Sequence, residues 1–434
     1  MNKKSEDKKI ELSAKSQLVL ILICWAVYTV AYVGRYSYTA NGVPIMKFYK
    51  VNEDEFALAT TFFFFAYGIG QILNGLLCRR YNMRFMIFGA LTLSLVINGA
   101  VFFGLPFIYI KYVWLVNGLC QSVFWASLLR ILSCYLDEKR MKTAVLVMST
   151  PVCIGTLVIY GASALFALFE GFKYAFLLAF VLMGVVALFW IIYYPRITKN
   201  AKLENLPPCV SENDMKTVGE SLATNRKTNG NKAAITGLIG IIALFGFYAI
   251  VDNFVKDGLT TWVPKILNEQ YKLSDSLSII LTLVLPIFGV CGAILAIFAN
   301  KYIKNPSDLL GVFYALSAIT VFGIILLFKT NLWYMVIILF GLVSLFTNSV
   351  NNVLTNMLPL SFGKKYNAGL IAGLLNGACY IGSTLSQYLI AVIAIAGGWS
   401  TVMDVFLYSC IAITAFSFIL FIIRCLRKPK FKNI

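Results

Sequence analysis

The 434-residue chain contains no histidine, and only 13% of its residues are charged, with 19 Asp and Glu against 37 Lys and Arg. Without histidine it lacks the commonest general base and metal ligand, which argues against zinc-peptidase or histidine-dependent acyltransferase chemistry. Its ten cysteines are scattered, nearly all in apolar runs, with no CxxC pair, so neither a metal site nor a disulfide framework is indicated. No Gly-Lys-Ser/Thr phosphate loop occurs, which disfavours ATP-driven pumping. No cofactor is expected. Alternating ten-residue segments of the β-barrel kind are absent as well.

What the chain has is apolar length. Hydrophobic residues make up 59% of it, a composition that soluble domains do not carry. Runs of about 20 apolar residues, the length needed to cross a bilayer core, recur from end to end. Twelve spans are predicted, centred near Cys24, Phe65, Ser94, Gln121, Gly155, Met183, Phe245, Pro286, Leu316, Phe340, Asn376 and Cys410. The fold class that follows is an all-α integral membrane protein with two six-helix bundles. Residues 1–16 form a polar tail, 17–195 the first bundle, 196–232 a hydrophilic linker, 233–424 the second bundle and 425–434 a basic tail. The first span has no small-residue cleavage site after it and is expected to stay as a signal anchor.

The net charge of +18 reflects topology. With both termini and 196–232 on one side, 27 Lys and Arg fall on that side and seven on the other. This bias is the positive-inside rule, so the termini and linker are expected in the cytoplasm, in a cell membrane. Membrane lipid is the expected surrounding, nucleic acid is not a partner, and a monomer is expected.

Internal spacing suggests a duplication. Arg35 precedes Arg80 by 45 residues, and Lys256 precedes Lys301 by 45; an offset of 221 places Arg35 on Lys256 and Arg80 on Lys301. Parallel half-repeats with a site between them are a transporter plan.

Several stretches resemble the major facilitators, and more narrowly the organophosphate:phosphate antiporters of the glycerol-3-phosphate and hexose-phosphate transporter type. They are "YTVAYVGR" with Tyr28, Tyr32 and Arg35, "AYGIGQILNG" with Gln71, and "NGLCQSVFW" with Gly118, Gln121 and Trp125. "KDGLTTW" after Lys256 and "GACYIGS" with Tyr380 complete the set. The resemblance implies a secondary transporter in which Arg35 and Lys256 face each other across a central cavity and clamp an anion, with Tyr28, Tyr32, Gln71, Trp125 and Tyr380 as further substrate-binding residues. Inorganic phosphate or a proton would be the coupling ion. Departures are also plain: Arg79 replaces an aspartate, the fifth-span histidine is missing, Gln71 stands where the glycerol-phosphate transporter has lysine, and Asp252 has no counterpart. A proton-coupled carboxylate symporter and a transporter-like phosphosugar sensor are the alternatives.

For Arg35, two readings stand. Eighteen residues from Gln17, or about 27 Å of helix, it could anchor at the interface beside an aromatic belt. As an intramembrane cation it could equally line a substrate path, where its planar fork suits an oxyanion. Tyr28 and Tyr32 share its helical face and could complete an anion pocket, or could serve packing. Asp252 and Lys256, spaced i,i+4, are expected to meet, either as a neutralising pair or as a coupling pair that exchanges partners. Asn348, Asn352 and Asn356 form a stripe that must face protein or a water-filled path, where it either binds substrate, through Asn352, or joins helices. The turns holding Arg80, Arg84 and Lys301 are expected to latch the cytoplasmic side through hydrogen bonds to neighbouring helix ends.

Overall fold

A computed structural model describes residues 12–77, 82–198, 229–362 and 368–427. In the first half the helices are α1 (Ala14–Ala40), α2 (Glu53–Leu77), α3 (Met83–Phe102), α4 (Phe107–Tyr135), α5 (Glu138–Met148 continued by Pro151–Ala167) and α6 (Lys173–Thr198). The second half holds α7 (Asn229–Tyr271), α8 (Asp275–Tyr302), α9 (Pro306–Leu327), α10 (Trp333–Met357), α11 (368–397) and α12 (399–427). All twelve predicted centres fall inside these helices. Helix boundaries differ from the expectation at the linker, because α6 runs to Thr198 and α7 begins at Asn229.

Local chemistry sets the breaks. Gly104 and Gly398 adopt φ of +95° and +74°, values that side chains with a Cβ rarely reach, and they turn α3 into α4 and α11 into α12. Side-chain oxygens of Asn82, Asp137, Ser274 and Asn305 accept from backbone N–H groups at the starts of α3, α5, α8 and α9. Pro306 occupies the first turn of α9, where its missing N–H costs nothing.

Within each bundle, glycines let backbones touch. A Cβ on Gly155 of α5 would lie 2.6 Å from the Thr29 carbonyl oxygen of α1, and one on Gly382 of α11 would lie 2.1 Å from that of Ile250 in α7. Thr29 and Ile250 are separated by the same 221 residues that relate Arg35 to Lys256, so α5 rests on α1 as α11 rests on α7. The duplication seen in the spacing of cations is therefore present in the packing.

The bundles meet along two seams, α2 with α11 and α5 with α8. At the face opposite the chain termini the seams are tied. Lys47 pairs with Asp275 at 2.5 Å, Lys265 with Glu53 at 3.2 Å, and Ser276 donates to the Ala164 carbonyl at 2.6 Å. The Phe56 and Trp262 rings close the same level, 5.9 Å apart. On the terminal face the described ion pairs, Arg140–Asp137 and Arg424–Asp308, each stay within one bundle. Arg84 donates to the Ile191 carbonyl of α6, and Lys301 rests over the Phe298 ring. Both contacts are internal to a bundle; Arg80 lies outside the described residues. The molecule is thus tied by ion pairs on one face, while on the other, among the described residues, no ion pair crosses between the bundles.

Candidate functional site

Between the bundles lies a cavity of about 390 Å³. It extends from Arg35 and Lys256 toward the terminal face, where Ser149 of α5 and Asn356 of α10 form part of its wall. Five of the eight residues proposed from sequence to bind substrate line it: Arg35, Tyr32, Lys256, Asn352 and Tyr380.

Arg35 is 7% exposed, and among the described residues no carboxylate pairs with it. Five aromatic rings surround its guanidinium instead: Tyr67 at 4.7 Å, Phe63 at 5.0 Å, Phe64 at 5.1 Å, Tyr32 at 5.5 Å and Tyr36 at 5.7 Å. Ring faces stabilise the cation without neutralising it, each by about 0.5–2 kcal/mol depending on desolvation. The Nε–H meets no acceptor. An arginine so held keeps donors available for an incoming anion.

The other three proposed binders stand behind the wall. Tyr28 lies with its hydroxyl 3.4 Å from that of Tyr32 and its ring 5.2 Å from Trp125, so these two residues back Tyr32. Gln71 of α2 accepts a hydrogen bond from Asn376 of α11 and joins the bundles across a seam.

The expected Asp252–Lys256 pair is not formed. Lys256 lies 3.7 Å from Asp257, whose other carboxylate oxygen accepts from Ser383 of α11. Asp252 is fully buried, does not line the cavity, and neither of its oxygens meets a donor at bonding geometry. The physical reason is direction: Lys256 points into the cavity with Asp257. Asp252 points into the bundle beside Asn351 on α10, Tyr314 on α9 and Cys410 on α12, while Lys256 and Asp257 stay within its electrostatic reach.

The asparagine stripe of α10 faces the cavity in full, and Asn253, Asn351 and Asn376 join it. A π-helical turn at Val353–Met357 widens α10 just where Asn356 enters the wall. Sequence reasoning missed that turn, Asp257 and the α2 aromatics. The run "TTFFFFAYG" carries Phe63, Phe64 and Tyr67 but reads as ordinary apolar span. Among the described residues no group of Cys, Asp and Glu is placed to hold a metal ion.

Comparison with known proteins agrees with this architecture. The sugar phosphate exchanger 3 of Xenopus laevis is 22% identical over 429 residues, covering 89% of this chain and 83% of that protein. The hexuronate transporter of Bacillus subtilis (strain 168) is 20% identical, covering 71% and 70%. Among solved structures, a bacterial homologue of the human lysosomal transporter Spinster, inward-facing and occupied, superposes with a TM-score of 0.72 at 15% identity, over 94% of this chain and 97% of that one. A D-xylose–proton symporter gives 0.73 at 11% identity, over 93% and 97%. The family profile described as Major Facilitator Superfamily matches residues 24–386. A multi-pass helical membrane transporter in two six-helix bundles, the chain belongs to the major facilitator superfamily.

Proposed function

We propose that the protein carries a small organic anion, an organophosphate or a related anionic solute, by alternating access. The observation that carries this is Arg35: a buried cation in the cavity wall, without a carboxylate partner, held by aromatic rings. Keeping an unneutralised charge inside a membrane protein is costly, and a ligand's negative charge offsets that cost. Two relatives are named for anionic sugars, and the wall's six asparagines present paired donors and acceptors suited to hydroxyl groups.

A second reading, proton-coupled symport, is favoured by Asp252, a fully buried carboxyl group set behind the cavity wall, since ionisable groups inside a membrane span mark ion and proton paths. One assay tests both. Proteoliposomes are offered labelled hexose 6-phosphate, glucuronate and glucose, with internal phosphate or an imposed proton gradient. Anion uptake well above glucose uptake is expected; equal uptake of all three removes the anion reading. Symport requires stimulation by the proton gradient that Asp252→Asn loses, and an unstimulated wild type removes it.

The terminal face is the cytoplasmic one in this reading, from the charge bias, and the described conformation is then inward-facing. In a cysteine-depleted protein, Lys272→Cys should react with an impermeant thiol reagent in intact cells and Asn225→Cys should not. Reversed labelling inverts the orientation.

A further inference from the structure

We propose that Asp257 sets the charge of the solute, restricting the cavity to anions that carry one negative charge. The inference rests on the anion reading above and deepens it. Among the described residues, three groups on the cavity wall bear charge through side-chain guanidinium, ammonium or carboxylate: Arg35, Lys256 and Asp257. Lys256 and Asp257 form a pair at 3.7 Å, each side chain 18% exposed, so their charges largely cancel toward the cavity. Asp257 cannot easily swing away, because Ser383 on the facing helix donates to it. The wall therefore presents one uncompensated positive charge, on Arg35. Asp252, buried behind the wall, can add negative charge to this sum or none, and never positive charge.

A carboxylate or a phosphodiester matches that balance. It can take two parallel N–H donors from Arg35 while Lys256 keeps Asp257 and still offers an N–H to a ligand hydroxyl. A phosphate monoester dianion brings a second charge that nothing in the wall neutralises. It must either face the Asp257 carboxylate or strip Lys256 from it, and both leave like charges close together in a poorly solvated site. Two cations spaced across the repeats look from sequence like a dianion clamp. The neighbouring aspartate changes that arithmetic.

The test holds the sugar constant and varies only charge. Purified wild-type protein in detergent, at pH 7.5 and fixed ionic strength, is titrated with glucose, glucuronate, glucose 6-phosphate and the methyl phosphodiester of glucose 6-phosphate. Binding is read from ligand-induced thermal stabilisation. In the wild type the two monoanions should bind at least about tenfold more tightly than the phosphate monoester, with glucose weakest. Asp257→Asn should erase or invert that ratio, and Asp257→Glu should retain it. A wild type that prefers the monoester overturns the inference, as does an Asp257→Asn protein with an unchanged ratio. Should Asp257→Asn fail to fold, the wild-type ratio decides alone. If no anion binds better than glucose, the anion reading falls and this inference falls with it. Tight anion binding without charge discrimination removes only the role of Asp257.

Discussion

Arg35→Ala should reduce transport by at least about a hundredfold while leaving the protein as stable as the wild type, or more so. The two signs follow from one fact. A guanidinium that is 7% exposed and surrounded by rings has lost most of its hydration without gaining a counter-ion, so its presence works against folding. Its removal takes that cost away and leaves a modest void among aromatic side chains. The anion, however, loses the only fork-shaped donor among the described residues of the cavity wall, and a charge-assisted pair in such a setting is worth several kcal/mol in binding. Arg35→Lys should rescue poorly, because an ammonium neither stacks flat on Tyr67 and Phe63 nor donates two parallel bonds. Lys256→Ala should also impair transport, but it frees Asp257 into the cavity, so its effect should grow with the charge of the solute. Uptake into proteoliposomes and thermal unfolding of the same preparations give both signs. Near-normal uptake by Arg35→Ala would reduce the residue to an interface anchor.

Gly382→Val should abolish recovery of folded protein, whereas Gly377→Ala on the same helix should behave as wild type. The contrast comes from what a Cβ would meet. At Gly382 it would fall 2.1 Å from a backbone oxygen of Ile250, which no rotamer change can move, while at Gly377 nothing lies within 4 Å. Overpacking of this kind typically costs about 1–3 kcal/mol where neighbours can yield, and more where the obstacle is main chain. The α7–α11 interface would have to open, and both Lys256 and its Asp257–Ser383 support lie along it. Size-exclusion profiles of detergent-extracted protein distinguish the two variants. A monodisperse Gly382→Val protein with normal yield would show that the helices can part without loss of the bundle.

Much of this architecture was legible in the sequence, for a physical reason. The bilayer imposes one length on every apolar run. Arg35, Lys256 and Asn352 were legible for a related reason: a polar group inside such a run is too costly to be idle. Partner choice was not legible. Spacing of i,i+4 told correctly that Asp252 and Lys256 share a helix, but the direction of Lys256 is fixed by the cavity and by Ser383 on a helix 126 residues away. The aromatic cage was hidden because Phe63, Phe64 and Tyr67 are as much at home against lipid as against a guanidinium. The π-helical turn in α10 leaves no mark at all in residue type. Gln71 was read as a binder through resemblance, yet it holds a seam, a role that depends on Asn376 arriving from the other half of the chain.

The ties on the face opposite the chain termini are partly wet. Lys47 is 58% exposed and Asp275 21%, and the Lys265 ammonium, 14% exposed, divides itself between Glu53 and Glu269. An exposed pair such as Lys47–Asp275 contributes about 0–1 kcal/mol and weakens as ions screen it, whereas Lys265–Glu53, at 14% and 17% exposure, is screened much less. The lock is therefore one electrolyte-sensitive clasp and one better-shielded pair over an aromatic plug. On the alternating-access reading, dissolved salt in the compartment bathing that face should act as a soft key: raising it should lengthen the time the carrier spends open there and raise the apparent affinity for solute offered from that side. Salt in the other compartment, where the described charged pairs do not bridge the two halves, has no such clasp to loosen. On the same alternating-access reading, the carrier should respond to the ionic strength of one compartment more than to that of the other.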